Sequence, residues 1–116
     1  MSGTTNHHAG VAAEESVARH YEAAGARIAA RRWRGRGGEI DVIATRDGET
    51  VFVEVKRAPT HDGAALRLGP RQVARLQACA AEYMGGLPGG LLSPVRFDVA
   101  LVDAAGRVRV IENALH

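Results

Sequence analysis

Apolar and polar residues alternate with a period of two through Gly38–Lys56, GEIDVIATRDGETVFVEVK, and Asp47-Gly48 splits this stretch into two runs. Asp-Gly between such runs is the strongest short-range signal for a tight hairpin. With Asp47 and Gly48 as the loop residues, paired residue numbers sum to 95. Ala44 then faces Val51, Val42 faces Val53, Asp41 faces Glu54, Ile40 faces Val55 and Glu39 faces Lys56. Side chains alternate between the two sides of a strand. One side is therefore expected to carry Ile40, Val42, Ala44, Val51, Val53 and Val55. The other carries Glu39, Asp41, Glu54 and Lys56, with Ile43 and Phe52 nearer the turn. A slip of one residue would set acids opposite valines, so the pattern itself fixes the register.

The remaining elements follow from the same kind of pattern. Ala9–Ala24 has a helical period and stops at Gly25, a suitable C-terminal cap. Val11, Val17, Ala18 and Tyr21 form its apolar stripe, Glu14 falls in the middle of that stripe, and Glu15 lies toward the flank. Arg27–Arg36 reads as a first strand that loosens into a Gly-rich connection, and Arg57–Leu68, containing Pro59, His61 and Gly63, reads as an exposed loop. Gly69-Pro70 opens a second helix with the stripe Val73, Leu76, Ala80, Tyr83 and Met84, ended by Gly85-Gly86. Cys79 flanks that stripe, and Arg71 and Arg75 are expected on the opposite face, open to solvent or a nucleic-acid backbone. Val95–Val102 and Val108–Ile111 read as two closing strands. The order predicts an α/β fold: a mixed sheet of about five strands flanked by two helices, residues 9–116 forming one domain behind a disordered tail over 1–8.

Charge changes the picture at the hairpin. Asp41 opposite Glu54 would hold two like charges with Cβ atoms about 5 Å apart, an arrangement that destabilises a sheet. Glu39 adds a third. Two facing carboxylates are what a hard divalent cation takes as ligands, with positions left for water and phosphate. Equally, the acids could form a solvated outer face, with a Glu39–Lys56 cross-strand pair offsetting the repulsion; spacing alone does not separate the two readings. The basic residues add a hint. Of fifteen Lys and Arg, only Lys56 is lysine, and a compact ammonium serves better than a guanidinium beside an ion-bound water or a phosphate oxygen. Upstream, Arg27, Arg31, Arg32, Arg34 and Arg36 surround Trp33 with no acid between them. This patch suits phosphate binding, with Trp33 stacking on a base or sugar; it also suits a solvated edge strand with Trp33 in the core.

GEIDVIA followed by VFVEVK resembles the signature of the YraN-type family of small bacterial proteins, whose core is similar to the restriction-endonuclease-like, PD-(D/E)XK, nuclease superfamily. The resemblance runs from about Gly10 to Asn113-Ala114. It implies an endonuclease-like core, with Asp41, Glu54 and Lys56 as the motif's Asp, acid and Lys. It also implies Mg²⁺ or Mn²⁺ held by Asp41, Glu54 and the Val55 carbonyl, with Glu14 joining from the first helix directly or through water. Arg32 stands where the family tends to have Asn, Arg71 stands in place of its usual Lys, and the loop before the second helix is short.

Composition narrows the classes. The chain has 116 residues, 46% of them hydrophobic, and a formal net charge of +2. That suits one small domain and excludes a histone-like polycation, so nucleic acid would have to meet a local patch. The only Cys, Cys79, rules out an intrachain disulfide and fits a reducing cytoplasm. Met1–His8 has neither a basic nor an apolar segment of a signal peptide, and no apolar run approaches a membrane span. There is no P-loop and no zinc-type Cys/His spacing. Three functions stay open: a Mg²⁺-dependent phosphodiester hydrolase acting on DNA, with branched or damaged DNA among its candidate substrates; a non-catalytic nucleic-acid-binding module of the same fold; and a protein-interaction domain. Whether the chain works as a monomer or a homodimer is also left open.

Overall fold

The fold was obtained as a computed structural model that describes residues 2–58 and 68–115, with side chains from Gly10 onward. Met1 of the expected tail and His61 of the expected loop lie outside the described residues. The elements are α1 (Ser2–Ala23), β1 (Arg27–Gly35), β2 (Gly38–Arg46), β3 (Glu49–Arg57), α2 (Pro70–Met84), β4 (Val95–Val102) and β5 (Val108–Ile111), with one 3₁₀ turn at Gly90–Leu92. The five strands form one sheet in the order β1-β2-β3-β4-β5. All neighbours run antiparallel except β3 and β4, which are parallel. A parallel pair needs a crossover, and α2 supplies it. The α/β architecture with a mixed five-stranded sheet and two helices is the expected one. Among the described residues no helix is long and apolar enough to cross a membrane.

The β2–β3 turn is the one the sequence called for. Asp47 and Gly48 both have positive φ, 53° and 81°, as a two-residue primed turn requires. The register runs Arg46↔Glu49, Thr45↔Thr50, Ala44↔Val51, Ile43↔Phe52 and Val42↔Val53. α1 covers one side of the sheet, where Ala13, Val17 and Tyr21 pack on Val42, Ala44, Val51, Val53, Ala100 and Val102. α2 covers the other, where Leu76, Cys79, Ala80 and Met84 pack on Ile40, Ile43 and Phe52. Alternate strand residues thus feed two cores, which is why these strands read as nearly continuous apolar runs.

Four expectations need correction. Ile40 belongs to the α2-side core, whereas Val42 and Ala44 belong to the α1-side core; strand alternation therefore breaks at Asp41. The reason is local: the Val55 N–H donates to Asp41 Oδ2 at 2.8 Å, so a side chain takes the place of a backbone partner just beyond the last β2–β3 pair. Arg27–Gly35 does not loosen but forms a full antiparallel partner of β2, closing through Gly35↔Gly38. Val17, Ala18 and Tyr21 are buried as expected, but Val11 at the head of the α1 stripe is exposed and Ala13 is buried in its place. Finally, α1 starts at Ser2, within the expected disordered tail; once a helix is nucleated its extension is cheap, and the segment contains no proline.

One buried polar cluster ties α1 to the far half of the sheet. Asp98 is 1% exposed. It accepts from the Tyr21 hydroxyl at 2.6 Å, from Arg96 Nε and Nη2 at 2.9 Å each, and from the Asn113 N–H at 3.2 Å. Burial and the Asp98 carboxylate both raise the Tyr21 phenol well above its ordinary range, so this hydroxyl stays a donor. The expected Arg96–Asp98 salt bridge is present within this cluster. Asp98→Ala would strand the Tyr21 hydroxyl and leave Arg96 only its longer contacts to Glu49 and Glu112 at 3.6 and 3.7 Å. A loss of about 3 kcal/mol is expected from breaking one side of a buried pair, read as a lower urea midpoint; a loss under about 1 kcal/mol would contradict the cluster's structural role.

Candidate metal and phosphate site

The break at Asp41 creates the site. Because Asp41 turns toward β3 to receive the Val55 N–H, its carboxyl comes against that of Glu54, and the two share a hydrogen bond. Glu54 lies on the same side of β3 as Phe52, beneath α2. It is 9% exposed. Burial, then the neighbouring Asp41 charge, push its carboxyl up to about 7, against the opposing pull of Arg75. Burial also raises Asp41, while the Val55 N–H and the hydrogen bond with Glu54 pull it down. The directions assign the shared proton to Glu54, which donates it to an ionised Asp41. This is the behaviour of two carboxyls too close to ionise together.

Arginines surround the pair. Arg75 of α2 donates from Nη2 to Glu54 Oε2 at 3.0 Å. Arg75 therefore turns its guanidinium to Glu54 while 40% of its side chain stays exposed, so the expected solvent-facing position holds only in part; Arg71 is exposed as expected. Gly38 makes room for it: φ there is 142°, and a Cβ would come 3.0 Å from Arg75 Cδ. On the α1 side, Glu14 is 2.9 Å from Arg32 Nε, close enough to Asp41 for the Asp41 charge, after burial and Arg32, to affect its own raised pKa. Glu15 lies farther round α1 and pairs with Arg31 and, at 3.5 Å, Arg19. Glu14 is thus the helical acid nearer the pair, but it is held by Arg32. Among the described residues no three His, Cys, Asp or Glu side chains converge tightly enough to hold an ion alone. Asp41 and Glu54 still fit a hard divalent cation: they are adjacent, they repel, and they offer oxygens that currently share one proton. Completing the shell would take the Val55 carbonyl, solvent or substrate oxygens.

The basic patch divides. Arg34 is largely exposed and pairs with Glu39 at 3.2 Å. Arg36 is exposed at the β1–β2 turn, where its N–H donates to Glu82 Oε1 at 2.9 Å. Of the two readings of Trp33, stacking platform or core residue, the structure has the second: it packs against the α2-side core, edge-on to Tyr83 at 5.4 Å between centroids. Arg32 has φ 51°, the left-handed region that Asn tolerates far better than Arg. The guanidinium that this left-handed residue carries pairs with Glu14. Lys56 is half-buried two residues beyond Glu54, on the same strand side. What the sequence reading missed is the Arg75–Glu54 pair; the available signal was the i,i+4 spacing of Arg75 to the buried Cys79.

A family model described as uncharacterised protein family UPF0102 matches residues 13–102. The chain belongs to the UPF0102 family. A UPF0102 protein of Ruegeria pomeroyi is 56% identical over 112 residues, covering 97% of this chain and 91% of the relative. One from Cereibacter sphaeroides KD131 is 54% identical over 114 residues, covering 98% and 97%, and one from Dinoroseobacter shibae is 40% identical, covering 96% and 83%. The matched span contains Glu14, Asp41, Glu54, Lys56 and Arg75, so the site lies wholly within the part that defines the UPF0102 family.

The pH dependence follows from the raised acids. Glu54, Asp41 and Glu14 all hold protons more tightly folded than unfolded, so the folded state binds more protons between about 4.5 and about 7 for Glu54. Stability contributed by that proton is present at low pH and is lost as pH rises through the folded value. Glu54→Gln should therefore raise the melting temperature at pH 8, and the gain should shrink toward zero at pH 5. A gain independent of pH would contradict the shared proton.

Proposed function

We propose that this chain is a divalent-metal-dependent hydrolase of DNA phosphodiester bonds, built on an endonuclease-like core. The observation that carries the reading is the placement of the Asp41 and Glu54 carboxyls against one another under α2, Asp41 held by the Val55 N–H and Glu54 by Arg75. A fold keeps two repelling carboxyls, one buried and one half-buried, where their ligand, rather than stability, is the gain. Asp41, Glu54 and the Val55 carbonyl would hold Mg²⁺ or Mn²⁺, with Glu14 in reach through water once Arg32 lets go. The chemistry such a cation supplies is Lewis-acid charge on a phosphate oxygen and a water acidic enough to attack phosphorus.

The chain's own residues do the rest. The Val55 N–H orients Asp41, fixing one ligand before anything binds. Lys56 supplies positive charge beside the phosphate and orients the attacking water, a role for which preorganised charge in a partly dry site is effective. Exposed Arg34, Arg36, Arg31 and Arg71 lie on β1, its turn and the start of α2, and would follow the DNA backbone. The free, buried Cys79 suits a cytoplasmic setting. A second reading, a nucleic-acid-binding module whose acids no longer take metal, is favoured by the two arginines that already occupy Glu54 and Glu14.

Metal separates the two. Saturating Mg²⁺ or Mn²⁺ should raise the melting temperature by about 5 °C or more through selective binding to the folded state, and Asp41→Asn should abolish that gain. With Mn²⁺, cleavage should appear on at least one of linear, nicked, flapped or four-way DNA and fall at least about 100-fold in Lys56→Ala. Stabilisation without cleavage on all four would favour the binding module. Arg34→Ala with Arg36→Ala should weaken DNA binding and lower its salt dependence by roughly one to two phosphate contacts.

A further inference from the structure

Arg75 does something the metal and DNA reading does not account for. Its guanidinium is aimed into the site and donates from Nη2 to Glu54 Oε2 at 3.0 Å. Its Nε is buried and, among the described residues, is the buried side-chain polar atom without a hydrogen-bond partner. Nε–H and one Nη–H form one edge of a guanidinium, matched to two oxygens of a single carboxylate or phosphate. Here that edge finds a carboxyl already engaged with Asp41, so the two-pronged fit is not made. A buried donor left idle is costly, and the Arg75 stem is crowded onto Gly38, where a Cβ would meet Cδ at 3.0 Å and Cγ at 3.2 Å.

We infer that Arg75 is a resident counterion exchanged for the divalent cation: it holds Glu54 while the site lacks metal, and metal entry releases it to grip two oxygens of the phosphate beside the ion. The inference rests on the proposed metal site and adds to it a device. One positive group occupies the acid until a better one arrives. The displaced group then meets the anion that the newcomer attracts, with both donors of its edge satisfied. Cation and phosphate binding become coupled in the favourable sense, because each stabilises the swung-out Arg75. By reciprocity, DNA phosphate should strengthen metal binding by the factor with which metal strengthens DNA binding.

The test uses the full chain and needs no turnover. Calorimetry with Mn²⁺ alone compares the wild type with Arg75→Gln, which keeps amide donors and loses the charge, and Arg75→Lys, which keeps the charge and loses the fork. Arg75→Gln should bind Mn²⁺ about tenfold more tightly, since its competitor is gone, and Arg75→Lys should stay near wild type; couplings of this size are ordinary. With Ca²⁺ present to hold the site without cleavage, both variants should bind duplex DNA at least about fivefold more weakly than the wild type. In the wild type, the ¹⁵N resonance of Arg75 Nε should move on titration with Mg²⁺, with the midpoint of metal binding; this needs no variant to fold. Equal Mn²⁺ affinity in wild type and Arg75→Gln, or a still Nε resonance while Mg²⁺ binds, overturns the exchange alone. No Mn²⁺ binding by any of the three overturns the metal site and the exchange with it. Tighter Mn²⁺ binding with undiminished DNA binding overturns the phosphate grip.

Discussion

The structure around the site depends on one constraint: two carboxyl groups, Asp41 and Glu54, pressed together where water is scarce. At the dielectric of a partly buried site a pair of like charges in contact costs several kcal/mol. The chain relieves the cost in three ways at once. A shared proton removes one charge, the Val55 N–H steadies the other, and Arg75 lends half an ion pair. Each is a partial answer, and together they keep the pair assembled without making it inert. A pair that only served stability could be replaced by apolar residues of the same size at no loss.

That constraint also shapes the fold. Strand pairing between β2 and β3 is regular from the turn to Val42↔Val53 and then gives way to a side chain. The change of hand at Asp41 sends Ile40 into the α2-side core and leaves Val42 in the α1-side core. On the next strand Arg32 is left-handed and reaches Glu14. The site thus coincides with local irregularity in β1 and β2, as where backbone strain is held by the packing on either side; a further register shift at Ile28/Ala30 lies nearer the hairpin turn. The Asp98 cluster pins α1 and the C-terminal segment to β4, with Asn113, itself left-handed at φ 53°, donating its N–H to Asp98.

Much of this was legible from residue order because it was written in local chemistry. Asp47-Gly48 specifies its turn and through it the register. Pro70 and Gly85 bracket α2, and the alternating runs 95–102 and 108–111 are strands to the residue. That the two acids would meet was visible too, although the regular register ends at Val42↔Val53 and it is the turn of Asp41 toward the Val55 N–H that brings them together. What escaped is what depends on partners from elsewhere in the chain. Strict alternation placed Ile40 with Val42, because nothing local announces that Asp41 will capture a backbone N–H fourteen residues away. A helical wheel placed Arg75 outside because it measures angle from the apolar stripe, not what waits beneath the helix. Trp33 could be read as a platform among arginines or as a core residue, and only the position of Tyr83 on α2 shows that its ring is needed in the core.

The central claim is that Asp41 and Glu54 share a proton which a divalent cation replaces. It is tested most directly by following the side-chain carboxyl carbon of Glu54 by NMR as pH is varied, with and without Mg²⁺. The account predicts a midpoint near 7 without metal and a clear fall in that midpoint when Mg²⁺ is present, because metal and proton compete for the same oxygens. A midpoint in the ordinary glutamate range, about 4.3, unchanged by Mg²⁺, would contradict it.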